Sequence, residues 1–87
     1  MPKYRLVLTW RDPNNPIPVS VRRAAAVQVA QDHNVTGPGG DHPTNHITEG
    51  PHGPTWIVEG SDSDVDSMIS VWESHGNVTV SKHLLGP

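Results

Sequence analysis

The run Ser63-Asp64-Val65-Asp66-Ser67-Met68-Ile69-Ser70-Val71-Trp72-Glu73-Ser74-His75-Gly76 decides the fold. Val65, Met68, Ile69 and Trp72 recur at i, i+3, i+4 and i+7, the spacing that gathers side chains on one face of an α-helix. Ser63 stands where a hydroxyl can accept an orphan amide, Asp64 and Asp66 suit the positive end of the helix dipole, and Gly76 supplies a left-handed stop. The reading is an amphipathic helix whose apolar stripe needs a sheet to lie on.

Sheet-forming segments flank it on both sides. Upstream, Thr55 to Glu59 reads as a strand with Trp56 and Val58 on one face and Ile57 on the other. Downstream, Val78, Val80 and Leu84 alternate with Thr79, Ser81 and His83, and Lys82 interrupts the apolar face. At the start of the chain, Tyr4, Leu6, Leu8 and Trp10 alternate with Arg5, Val7 and Thr9, which places the even-numbered face in the core. Pro13, Pro16 and Pro18 then end the strand, because proline fixes φ and removes a ladder donor.

A first helix is expected from Val21 to about His33, capped by Ser20 and buried along Val21, Ala25 and Val29. Ala24, Ala25, Ala26 and Ala30 favour the helix and allow a close approach to a sheet. Between Val35 and Pro54 the chain is rich in glycine and proline. Twenty residues without structure are unusual inside a compact domain, so His46-Ile47-Thr48-Glu49 is assigned as a short strand and Gly50-Pro51-His52-Gly53 as the turn after it.

The order is strand, helix, two strands, helix, strand. That pattern resembles a ferredoxin-like split βαβ sandwich: an α+β domain spanning residues 1–87, with two helices on one face of an antiparallel sheet. The expected sheet order is second, third, first, fourth. The resemblance rests on hydrophobic pattern, and fold alone assigns no function.

Composition narrows the function classes. Six Lys and Arg against nine Asp and Glu give a net charge of −3 over 87 residues, so no general positive field is present to hold a phosphate backbone, and nucleic acid is disfavoured. Tyr4, Trp10 and Trp56 lie on the most apolar strand faces and read as core rather than as base-stacking platforms. The absence of cysteine removes disulfides, thiolate metal sites and cysteine nucleophiles. Leu6-Val7-Leu8 is too short for a signal-peptide core or a membrane span, so a cytoplasmic protein without membrane contact is expected. The length and the absence of a tail also suit a phage or mobile-element product.

Asp41-His42-Pro43-Thr44-Asn45-His46, with His52 beyond, is the one cluster with chemical content. Three imidazoles and a carboxylate could ligate zinc, nickel or copper, but Pro43 and the neighbouring glycines preclude the helix that would align His42 and His46. His42 with Asp41, or His46 with Glu49, offers an acid–base pair, although a glycine- and proline-rich setting positions such groups poorly. Thr36-Gly37-Pro38-Gly39-Gly40 lacks the following Lys-Ser or Lys-Thr of a phosphate cradle, and no serine lies in a nucleophile elbow. No catalytic residue, metal or cofactor is therefore assigned.

With both helices on one face, the other face of the sheet is left bare, carrying Arg5, Val7, Thr9 and Ile57. Val7 and Ile57 need a cover, which two copies packed sheet to sheet or a different protein could supply. The expectation is a small interaction module, an adaptor or inhibitor, binding a larger protein or itself as a homodimer. Arg5, Val7, Thr9 and Ile57 of the open face and His42, His46 and His52 of the loop are its expected contacts. The alternatives are a histidine-loop binder of metal or a small ligand, and a small dimeric α+β-barrel enzyme.

Overall fold

The computed structural model describes residues 1–75 and 77–86, with the backbone alone at His75. Strand β1 (Lys3–Trp10) leads to helix α1 (Val19–Asp32), a short strand β2 (Ile47–Thr48), strand β3 (Thr55–Glu59), helix α2 (Asp62–His75) and strand β4 (Val78–Gly86). The four strands form one antiparallel sheet in the order β2-β3-β1-β4. The protein is an α+β domain, with β1 and β3 at the centre of its sheet.

Alternation in β1 is realised as a two-faced strand. Tyr4, Leu6 and Leu8 are buried while Arg5 and Thr9 are exposed. Opposite them, Leu6 pairs with Trp56 and Tyr4 with Val58 on β3, while Leu8 pairs with Val80 and Trp10 with Val78 on β4. These even-numbered residues meet Ala26 and Ala30 of α1 and Val65, Met68 and Trp72 of α2 in one core. Trp56 and Trp72 meet edge to face, with centroids 6.1 Å apart and ring planes at 87°, the geometry that the ring quadrupole favours.

Helix α2 carries the expected stripe, with Val65 and Met68 fully buried, Trp72 nearly so and Ile69 packed against the core. Its cap is Ser61 rather than Ser63. The Ser61 hydroxyl accepts from the Asp64 N–H at 3.2 Å, the third residue of the helix, while Ser63 lies within the first turn and only approaches the Ser61 hydroxyl. The stop assigned to Gly76 lies outside the described residues.

Helix α1 departs further from expectation. It begins at Val19 after Pro18, with no side-chain cap, so Ser20 lies inside the helix. Its buried positions are Ala26 and Ala30. Val21 is 55% exposed, and Ala25 and Val29 are only partly buried. The buried stripe is thus turned by one residue, or 100°, from the one expected. Arg22 explains the turn, because it is the core-facing residue four before Ala26. Its guanidinium lies 5.2 Å above the Trp10 ring, donates from Nε to the Ile17 carbonyl at 2.8 Å, and reaches both Glu49 carboxylate oxygens at 2.9 and 2.6 Å. A long cation can lie along the core when its head is paired and its stem is apolar.

After α1, Asn34 takes a left-handed conformation at φ 57°, and the Val35 N–H returns to the Ala30 carbonyl at 2.9 Å. This closes the helix and turns Val35 into the core. Thr36 then bridges Glu59 on β3, so the long connection begins as an added rung of the sheet. Strand β2 is shorter than expected: His46 ends a 3-10 turn (Pro43–His46), and Glu49 lies past the strand where it meets Arg22.

Lys82, the interruption in β4, has its own place. It pairs with Leu6 on the core-side face, and its ammonium lies 2.6 Å from both Asp62 and Asp66 and 5.1 Å from the Tyr4 ring. The Tyr4 hydroxyl donates to the same Asp62 oxygen at 2.9 Å. Lys82, then Tyr4, hold the Asp62 carboxyl below the usual carboxylate range, and Asp62 and then Asp66 raise Lys82. Burial, followed by Asp62, raises Tyr4.

The signs give a pH profile. A depressed Asp62 stabilises the fold above its unfolded pKa, near 3.9, and that contribution is lost as pH falls through the folded value; raised Lys82 and Tyr4 contribute below about 10 and lose it as pH rises. The melting temperature should therefore fall at both ends, and Lys82→Met should make the acid arm shallower, leaving the parts due to the Tyr4–Asp62 bond and to Asp41, while keeping the Tyr4 part of the alkaline arm. An unchanged acid arm in Lys82→Met would show that the ion pair does not stabilise the fold.

Candidate interaction surface

The sheet face turned away from the helices is built from the odd-numbered residues of β1 and their partners. Arg5 lies between Ile57 on β3 and His83 on β4, Val7 between Thr55 and Ser81, and Thr9 beside Thr79. Lys3 and Glu59 face each other at one end, and Thr48 lies beside Thr55 at the β2 side. Ile57 is therefore opposite Arg5 and diagonal to Val7. Arg5 and Thr9 are exposed and Val7 and Ile57 half-buried, and neither aliphatic side chain belongs to the core cluster.

Thr9, Thr48, Thr55, Thr79 and Ser81 surround those two aliphatic groups. The result is a face with a small apolar centre, a hydroxyl-rich border, and charge at the Lys3, Arg5 and Glu59 end. His83 and the hydroxyls of β4 were legible as the odd-numbered side of that strand. Their adjacency to Arg5 and Val7 needed the register.

The loop histidines lie elsewhere. The Pro43–His46 turn packs against α1, on the helix side of the sheet, and is pinned there by the Trp56 Nε1–H donating to the Pro43 carbonyl at 2.7 Å. His42 caps that turn: its Nδ1 accepts from the Thr44 N–H and lies 2.8 Å from the Thr44 hydroxyl. His46 Nε2 lies 3.0 Å from Asp41. The Asp41 carboxyl is held below its ordinary range by the His42 N–H first, then by His46 and Asn45.

Glu49, the partner expected for His46, is taken by Arg22, so Asp41 serves His46 rather than His42 as its side-chain partner. His52 is in the turn before β3, where its carbonyl accepts from the Trp10 N–H at 3.1 Å. Among the described residues no three His, Asp or Glu side chains converge as a metal set. The residues assigned from sequence thus fall into three places: the open face, the β2-side turn and the β2–β3 turn.

Two apolar hollows lie on the helix side. A small one of about 20 Å³ is walled by Trp56, Trp72, Arg22 and Glu49 among others, which is room for no more than a water molecule. A wider groove of about 290 Å³ runs between the helices, lined by Val21, Ala25 and Val29 of α1 and Val71 and Trp72 of α2. The stripe expected to lie on the sheet is the wall of this groove. Trp72 Nε1–H, buried within, has no hydrogen-bond partner among the described residues. No helix among the described residues is long and apolar enough to cross a membrane. Comparison with protein families, curated proteins and solved structures finds no match to this chain.

Proposed function

We propose that the protein is a small interaction module, an adaptor or inhibitor that binds a larger protein through the open face of its sheet. The observation that carries this reading is the bare face itself: Val7 and Ile57 lie at its centre outside the core, and both helices are committed to the opposite side. The order βαββαβ and the antiparallel sheet support a ferredoxin-like sandwich as the scaffold. A polar border around a small apolar centre is the composition of a reversible interface, which is about as polar as the rest of a protein surface. The Asp41–His46 turn is a separate exposed contact region on the helix side.

The test compares proteins captured from extracts of the source cells by the wild type and by Val7→Glu. A carboxylate forced against a covering partner is desolvated without a counter-charge, which should weaken capture by about tenfold or more. The variant should keep its melting temperature within a few degrees, because Val7 lies outside the core. Identical capture by both proteins would remove the open face from the account.

A further inference from the structure

We propose that the outer edge of β4 is a self-pairing site, at which a second copy of this chain adds its own β4 antiparallel across a two-fold axis at His83. The inference rests on the reading of the sheet as the interaction surface and extends it from face to edge. Strand β4 is the last in the sheet, so one side of its backbone has no strand beside it. Which residues point outward follows from two hydrogen bonds. The Asn77 carbonyl accepts from Arg11 on the β1 side, and the Val80 N–H instead reaches the Glu73 carboxylate at 3.1 Å. In an antiparallel strand the N–H and C=O of one residue point the same way and alternate along the chain. Even-numbered residues of β4 therefore face outward.

Edges are ordinarily protected against pairing, and this one is protected at both ends of a short window. Glu73 occupies the Val80 N–H, and the register breaks at Leu85, where Tyr4 still pairs with Leu84 but Lys3 pairs with Gly86. Between these points Lys82 and Leu84 present outward amides, and nothing among the described residues takes them up. Lys82, the residue type that would repel a second strand, has its charge matched by Asp62 and Asp66. Leu84 and Leu85, 67% and 49% exposed, lie at the same place.

A window of two outward residues has one register that uses both. Lys82 of each copy faces Leu84 of the other, which closes four hydrogen bonds. Pairing Lys82 with Lys82 sets Leu84 opposite Val80, whose N–H is already taken by Glu73, and pairing Leu84 with Leu84 carries Lys82 opposite the broken register beyond Leu84, so neither completes two reciprocal pairs. The chosen register also lays each Leu84 side chain along the stem of the facing lysine. A contact this short covers far less than the ~1,200 Å² of a stable complex, so the dimer forms only as concentration rises.

Sedimentation velocity over a range of concentrations, with three variants, tests the proposal. The wild-type mass should rise towards that of a dimer. Leu84→Pro deletes an outward donor that the chain itself does not use, a position at which an edge strand tolerates proline, and should remain a monomer with an unchanged circular dichroism spectrum. The chain has no cysteine, so His83→Cys gives a register readout that does not depend on Leu84→Pro folding. Facing non-hydrogen-bonded residues lie about 4.5 Å apart between Cα atoms, within disulfide reach, so mild oxidation should join two His83→Cys chains and leave Ser81→Cys chains unjoined. A wild type that stays monomeric, or equal cross-linking at both positions, overturns the edge site. Loss of self-association in Val7→Glu with Leu84→Pro still dimeric would overturn it too, while leaving the open-face reading intact.

Discussion

Trp72→Ala should destabilise the protein by about 3–5 kcal/mol, the cost of replacing a large buried ring with a cavity. Against the roughly 5–15 kcal/mol that holds a small domain together, this leaves the chain close to unfolded. Trp72 is 7% exposed and joins both helices and the sheet through its edge-to-face contact with Trp56. The two indoles should nonetheless answer differently to phenylalanine. Trp56 donates to the Pro43 carbonyl at 2.7 Å, so Trp56→Phe strands a buried acceptor and should cost about 1–3 kcal/mol beyond the lost volume. Trp72 Nε1 has no partner among the described residues, so Trp72→Phe removes an unsatisfied donor and should be the milder change. Chemical denaturation of the three variants checks this, and a Trp72→Phe cost equal to that of Trp56→Phe would contradict the assigned hydrogen bonding.

The second large effect is expected at Gly53, the residue joining the His52 turn to β3. Its φ is +137°, and a Cβ built there would lie 2.0 Å from the Leu8 carbonyl oxygen and 2.9 Å from its carbon. Backbone cannot step aside as a side chain tip can, so Gly53→Ala must push β1 and the turn apart. The bonds from Leu8 N–H to the Pro54 carbonyl and from Trp10 N–H to the His52 carbonyl hold that junction at 3.0 and 3.1 Å. A cost of about 4 kcal/mol or more is expected, a range that single changes reach only with a specific structural cause such as this clash. Gly39 is the control. It is also left-handed, at φ +69°, but has nothing within 4 Å, so Gly39→Ala should cost only about 1–2 kcal/mol. Thermal melts showing the two alanines equal would contradict the close approach at Gly53.

Strand β1 and helix α2 were legible because their apolar residues are large and their periods unmixed. Helix α1 was not. Its core face runs Arg22, Ala26, Ala30, and reading an arginine as polar moves the stripe by one residue to Val21, Ala25 and Val29. Only the tertiary placement of Trp10 and Glu49 reveals that Arg22 has a partner on every side. The same blindness applied to Lys82, read as an interruption and found as an ion-paired residue on the core-side face of β4.

For the interaction surface, the residues of the open face were legible strand by strand, but their neighbours were not. Alternation says which side a residue takes and leaves register open. Register placed Ile57 opposite Arg5 and brought His83 to the same row. The placement of the histidine loop was not legible either, because Trp56, an aromatic thirteen residues after Pro43, anchors the Pro43–His46 turn on the helix side through a tertiary hydrogen bond.

The central claim, that the bare sheet face is the docking surface, is tested most directly by the methyl spectrum of the isotopically labelled chain, recorded alone and in concentrated extract of the source cells. The account predicts that the methyl signals of Val7 and Ile57 shift or broaden first, while those of Val58 and Val65 in the core and of Val21 and Val29 beside the helix groove stay in place. Perturbation of Val21 and Val29 with Val7 and Ile57 unmoved would contradict it, and would place the partner on the helix side.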